Sequence, residues 1–174
     1  MTIGPDVSDC DKNFIRAALN EVRHPIDVAV FSSENYFNFG SIVRTSHNFL
    51  VRTIYAVDLP QHYERADLGT RKYENIVRVS VDEFLAMCGA EKRNIVAFER
   101  RPGMISLDLP SFVWPEKPFA FFGSEKTGVP DRVLSYPTTS VVSIPMYGIH
   151  NDHNVAVAAG IALYDFVSKH YKSK

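Results

Sequence analysis

The sequence predicts an α/β fold, a mainly parallel sheet flanked by helices, and three observations carry that expectation. Short apolar, β-branched runs alternate with amphipathic segments, as where IDVAVF (26–31) is followed by GSIVRTSHNFLV (40–51). Three strand ends carry polar, glycine-containing turns, NFGSIVRT, GSEKTG and MYGIHNDHN, and the carboxyl ends of strands are where such sheets bind ligands. The chain closes on a strand, a polar loop and a helix (141–171), in which Val155, Ala158, Ala159, Ala162, Leu163 and Phe166 recur at helical period.

Taken in order, residues 13–22 place Phe14, Ile15, Ala18 and Val22 on one side and read as a short helix. Ile26 to Phe31 is the first strand. From Gly40 onward Ile42, Val43, Ser46 and Phe49 follow helical spacing, and Thr53 to Val57 makes a second strand. Asp58 to Tyr73 is polar and irregular, the pattern of a mobile loop over a site. Ile76 to Val81 alternates as a strand does, and Asp82 is expected to cap a helix ending at Met87. Asn94 to Phe98 is a strand, followed by a proline-rich loop, ERRPGMISLDLPSFVWPEK. Phe119 to Phe122 reads as a buried strand, GSEKTGVPDRVL as a turn entering a short helix, and Val141 to Met146 as the closing strand.

The last helix begins with alanines and valines and contains Gly160, which costs about 1 kcal/mol relative to alanine. So small a face implies that another backbone comes close. That backbone belongs either to the chain's own sheet or to a second subunit beside a ligand pocket. With no repeat, low-complexity segment or composition break, 1–174 reads as one domain.

The chain has 174 residues, 45% of them hydrophobic, and a net charge of −1. That charge excludes a global field for polyanions, so any nucleic-acid surface has to be a local patch. Arg44, Arg52, Arg65, Arg71, Lys72 and Arg78 cluster, as do Lys169, Lys172 and Lys174, but Glu64, Asp67 and Glu74 interleave with them. A solvated face and an RNA track both remain open. Cys10 and Cys88 have neither metal nor redox spacing and read as reduced thiols. The acidic start MTIGPDVSDCD is no signal peptide, and the longest apolar run, Val155 to Tyr164, is too short to span a bilayer. A cytoplasmic protein without a membrane partner is expected.

Familiar motifs are missing. GSEKTG lacks the spacing and ending of a P-loop, and neither G-x-G-x-x-G nor G-x-S-x-G is present. His150 and His153 flank Asp152, but no further ligand set accompanies them, so a hydrogen-bonded turn is expected and no metal.

The turns themselves carry more. Asn35-Tyr36-Phe37-Asn38-Phe39-Gly40-Ser41-Ile42-Val43-Arg44-Thr45 resembles the first motif of the SPOUT superfamily of RNA methyltransferases, in its SpoU/TrmH branch. Phe122 to Val129 resembles the second motif. Ile144-Pro145-Met146-Tyr147-Gly148 with Asn154 to Gly160 resembles the third. The likeness spans about Ile26 to Lys169, and the chain is similar to the minimal members that consist of the catalytic domain.

The resemblance implies a deep C-terminal trefoil knot and S-adenosylmethionine bound bent within it. It also implies a homodimer through the C-terminal helix, and methyl transfer to a ribose 2′-hydroxyl of tRNA or rRNA. It assigns Gly123, Ile144, Met146, His153 and Asn154 to the cofactor, and Asn38, Arg44, Glu125 and Asn154 to catalysis. Asn38 is expected to orient Arg44, and Glu125 to fix the loops. A guanidinium is always protonated, so Arg44 suits a phosphate clamp that stabilises a developing alkoxide better than it suits a base.

Three departures stand out. Asp152-His153-Asn154 replaces the usual Ser-Leu-Asn, Tyr36 stands for proline, and Ala156 stands for a second serine. Asp152 could supply a base or repel RNA phosphate. A knotted RNA- or cofactor-binding module without turnover is therefore the second reading, and a different cofactor-binding α/β enzyme the third. The RNA surface is expected at Arg16, Arg23, Arg52, Arg65, Arg71 and Lys72.

Overall fold

The structure is a computed structural model that describes residues 11–31, 36–59, 67–149 and 152–171. Cys10, Asn35, Arg65, His150, Lys172, Lys174 and the acidic start lie outside the described residues. The strands are β1 (His24–Phe31), β2 (Val51–Val57), β3 (Ile76–Val79), β4 (Ile95–Phe98), β5 (Leu107–Asp108), β6 (Phe119–Phe122) and β7 (Thr139–Ser143). The helices are α1 (Lys12–Asn20), α2 (Tyr36–Asn48), α3 (Val81–Glu91), α4 (Asp131–Leu134) and α5 (Val155–His170). The strands form one sheet in the order β3-β2-β1-β6-β4-β7-β5, and every ladder in it is parallel.

A parallel sheet needs cover on both faces, which is why its central strands β4 and β6 read as unbroken apolar runs. All four residues of β6 are buried, as are Ile26 to Val30 of β1. Period-2 alternation then sorts them into two cores. Val28, Val30, Ala120 and Phe122 pack under α2 and α5, against Ile42, Val43, Leu163 and Phe166. Ala29, Phe119 and Phe121 face α3, where Phe84 meets the rings of Phe119 and Phe121 at 5.1 and 5.3 Å.

Several expected boundaries shift, each for a local reason. Helix α3 is capped by Ser80 instead of Asp82: Ser80 Oγ accepts from the Glu83 amide at 3.2 Å, and Glu83 Oε2 accepts from the Ser80 amide at 2.7 Å. This reciprocal Ser-x-x-Glu box outranks a lone aspartate, and the helix runs on to Glu91. Helix α2 starts at Tyr36, ahead of Gly40, so Asn38 sits in its first turn. The closing strand ends at Ser143, three residues short of Met146. On α1 it is Ile15 and Leu19 that are buried, while Phe14 and Val22 are exposed.

The segment expected to be a mobile loop is anchored at its described end. Asp67 is buried, pairs with Arg71 and accepts the Gly69 amide at 2.8 Å, where Gly69 takes φ +78°. The proline-rich run 99–117 contains β5 and a 3-10 turn, Leu109–Ser111. The small face of α5 packs on α2, where among the described residues a Cβ on Gly160 would make an ordinary contact with the Thr45 methyl at 3.7 Å, so the packing does not itself demand a glycine.

Candidate active site

Because every ladder is parallel, the carboxyl ends of β1, β4, β6 and β7 share one edge of the sheet. A cavity of about 520 Å³ opens there. Its wall is apolar, formed by Phe98, Phe122, Val142, Val155 and Ala158, and its rim carries Glu99, Arg100, Arg101, Glu125, Asp152 and His153. The residues expected to meet a cofactor, Gly123, Ile144, Met146, His153 and Asn154, all line it.

The three polar turns meet through their side chains. Asn38 Nδ2 donates to Glu125 Oε1 at 2.6 Å, and Asn154 Nδ2 donates to Asn38 Oδ1 at 3.0 Å and to Glu125 Oε1 at 3.2 Å. Asn154 Oδ1 faces the other way and caps α5, accepting from the amides of Ala156 at 3.0 Å and Val157 at 3.4 Å. One amide side chain thus starts a helix and ties two other loops to it.

The turn carrying Glu125 is held from within. Ser124 and Gly128 exchange backbone hydrogen bonds of 3.1 and 2.8 Å, and Gly128 adopts φ +69°, a conformation that favours glycine. Gly123 lines the cavity, but its Cβ direction points into the Gly128–Val129 peptide, so the absence of a side chain there serves the turn's own packing.

Beyond β7 the backbone changes character. Residues 144–149 make no hydrogen bond among the described residues, although Ile144 and Met146 are half-buried against the cavity. Half-buried peptide groups without protein partners leave donors and acceptors for a ligand or water.

Arg44 stands apart. It is exposed on α2, does not line the cavity and makes no hydrogen bond or ion pair among the described residues. Asn38 is engaged by Glu125 and Asn154, so the expectation that it orients Arg44 is not met.

Of the residues expected to face RNA, the described arginines are engaged by partners in the fold, although Arg16 stays exposed and Arg52 partly so. Arg23 is buried, donating to Glu74 at 2.7 Å and to the Tyr73 carbonyl at 2.8 Å. Arg52 pairs at 2.5 Å with fully buried Asp27, Arg16 donates to Asn75 at 2.9 Å, and Arg71 pairs with Asp67. Arg23, Arg52 and Asn75 lie at the amino ends of β1, β2 and β3, the edge opposite the cavity. These arginines brace the fold; Lys72 is exposed, over the Tyr73 ring.

Two cavity residues escaped the sequence reading. Glu99 Oε2 accepts the Val129 amide at 2.6 Å, and Arg101 donates to Asp131 at 2.6 Å and to the Val129 carbonyl. The hydrogen bond to Asp131 raises the affinity of the Arg101 guanidinium for its proton. Their signal was the charged triplet Glu99-Arg100-Arg101 directly after β4, at the carboxyl end of a strand. No group of three or more His, Cys, Asp or Glu among the described residues could hold a metal ion, and no helix there is long and apolar enough to cross a membrane.

Comparison with known proteins bears on the whole arrangement. The model of the SpoU rRNA Methylase family matches residues 25–164. A tRNA (guanosine(18)-2′-O)-methyltransferase of Borreliella burgdorferi is 30% identical over 106 residues, 61% of this chain and 45% of that protein. The chain therefore spans less than half the length of this curated relative. The AdoMet-bound rRNA methyltransferase from Sinorhizobium meliloti superposes with a TM-score of 0.77 at 24% identity, over 89% of this chain and 61% of its own. The A. aeolicus TrmH/SpoU tRNA modifying enzyme gives 0.75 at 24% identity, over 88% and 79%. At such identities these two likenesses speak for the fold.

Proposed function

This chain belongs to the SpoU rRNA Methylase family, and on that premise we propose that it is an S-adenosylmethionine-dependent RNA methyltransferase acting on a ribose 2′-hydroxyl of tRNA or rRNA. The observation that carries the reading is that half-buried Ile144 and Met146, whose peptide groups have no partner among the described residues, line the same cavity as Glu125 and Asn154, which are tied to Asn38.

The residues present fit such a cofactor. The peptide groups at Ile144 and Met146, without partners among the described residues, suit the edge of an adenine, the apolar wall suits its faces, and the Glu125 carboxylate suits a cationic sulfonium. Gly123, His153 and Asn154 would complete the holding set. Bound there, S-adenosylmethionine would supply an electrophilic methyl group. The chain's own part is positioning: the tie fixes three loops around one point, and orientation is the main contribution an in-line displacement asks of a protein. Arg44 acts by charge, as a guanidinium without a partner among the described residues that can hold RNA phosphate and offset negative charge on the 2′-oxygen. No step requires a metal.

The reading includes a single domain whose C-terminal part is knotted, and a homodimer through α5. The dimer is supported by Val157 and Tyr164, exposed at 52% and 65% on one face of that helix, with half-buried Ile161 between them.

The test is incubation with labelled S-adenosylmethionine and total tRNA or rRNA, followed by alkaline hydrolysis. Label retained in alkali-resistant dinucleotides is expected, and label confined to bases would refute the ribose assignment. A knotted binding module without turnover is the second reading, favoured by Asp152 and His153 at the cavity rim. Cofactor binding in calorimetry without transfer to any cellular RNA would establish it instead.

A further inference from the structure

We infer that Glu99 and Arg101 form a clamp that sets the shape of the cofactor pocket without touching the cofactor, an inference that rests on the function proposed above. The clamp closes on one residue, Val129, through the peptide groups on either side of it. Glu99 Oε2 accepts the Val129 amide at 2.6 Å, while Arg101 Nη2 reaches back to the Val129 carbonyl and lies 3.4 Å from Glu99 Oε2. Glu99 Oε1 takes the Arg100 amide at 2.9 Å, and Arg101 Nη1 is anchored on Asp131 at 2.6 Å.

Both carboxylate oxygens are thus engaged by protein donors, and the Glu99 side chain is only 12% exposed. The group lines the cavity yet is spent on the turn, which makes it a positioning residue. Its hold is transmitted directly. A Cβ on Gly128 would strike the Glu99 carboxylate, and one on Gly123 would strike the Gly128–Val129 peptide. Glu99, that peptide and Gly123 therefore stack with no slack. Glu125, two residues on, carries the position to Asn38 and Asn154. A small displacement at residue 129 moves the cavity wall and the tie together, and sites of this kind lose function when their support loosens by about 1 Å.

The experiment compares wild type, Glu99→Ala, Glu99→Gln and Arg101→Ala. S-adenosylmethionine affinity is measured by calorimetry, and amide exchange at Gly128 and Val129 by NMR. Glu99→Ala and Arg101→Ala are expected to weaken binding about tenfold or more, as loss of supporting partners does at other preorganised sites. Glu99→Gln keeps an acceptor but loses the charge, so it should fall between them and wild type, with Val129 still protected. The cofactor KM should rise in each variant, whereas general loss of folded protein lowers the apparent kcat and leaves KM unchanged.

Wild-type affinity in both Glu99→Ala and Arg101→Ala would overturn the clamp. Should Glu99→Ala fail to fold, wild-type affinity in Glu99→Gln and Arg101→Ala together overturns it. If wild type itself binds no S-adenosylmethionine, the functional reading fails separately. Amide exchange still decides the clamp in that case: protection of Val129 lost in Arg101→Ala supports it, and protection unchanged there refutes it.

Discussion

Asn154 and Asn38, 116 residues apart in sequence, are joined by a 3.0 Å hydrogen bond between their side-chain amides, and both reach the same oxygen of Glu125. Helices α2 and α5 and the turn after β6 are thereby fixed to one point. Asn154→Asp separates its two duties. The new side chain still caps α5 through an oxygen, so the helix is retained, but it brings a second carboxylate against Glu125 where a donor stood. Cofactor binding should fall at least tenfold, a loss of about 1.4 kcal/mol, with far-UV circular dichroism unchanged. Asn154→Ala should lose the cap as well and about 1 kcal/mol of stability. Calorimetry and urea unfolding read the two effects apart, and equal binding by Asn154→Asp and wild type would remove the tie from the site.

Arg44→Ala makes the complementary case. Arg44 is exposed, unpaired among the described residues and outside the cavity wall, so its loss should leave stability within about 0.5 kcal/mol. Cofactor affinity should be unchanged while methyl transfer to RNA collapses. Arg44→Lys should recover part of the rate, because an ammonium supplies the charge without the planar fork. Equal turnover by Arg44→Ala would move the charge role to another cation at that edge, with Arg100 the first to examine.

Much of this was legible in the sequence, for physical reasons that also explain the misreadings. A parallel sheet puts its loops on one edge, so the meeting of three polar turns is expected from the fold, and the resemblance to the SpoU/TrmH motifs picks out Asn38, Glu125 and Asn154 within them. The arginines were misread because their partners are remote: Asp27 serves Arg52, 25 residues away, and Arg93, 66 away. No local pattern distinguishes a cation paired in the core from one facing RNA. β5 is too short, at two residues, to show a period. Glu99 and Arg101 were hidden because their role depends on a turn 30 residues further on.

Asp27 gives the sharpest measure of that correction. It is fully buried at the start of the sheet, held by Arg52 and Arg93 at 2.5 Å each, with the Arg93 guanidinium 3.6 Å from the centre of the Phe119 ring. Removing one partner of a buried pair leaves the other charge uncompensated. Asp27→Ala should therefore destabilise the protein by about 3–5 kcal/mol, with the folded fraction binding cofactor normally. Arg52→Ala should likewise lower the urea midpoint more than it weakens RNA binding. The reverse order would restore Arg52 to an RNA surface.

Cys88 is expected to contribute to the loss of stability in alkali. It faces the core from α3 beside Phe84, and burial pushes its thiol from 9.0 up to about 12. Nucleophilicity belongs to the thiolate, so Cys88 in the folded protein should resist iodoacetamide at pH 8 and react once urea exposes it, as peptide mapping would record. Well below pH 9 the thiol is neutral in both states and its burial is without penalty. As pH rises from 9 toward 12 the unfolded chain ionises and the native one does not, so stability falls by about 1 kcal/mol for each pH unit. Cys88→Ala should start less stable, because it leaves a cavity, but should lack that part of the alkaline slope. If the two proteins lose stability in parallel between pH 9 and 11, the decline belongs to the lysines and tyrosines instead, and Cys88 is not the group that ionises on unfolding.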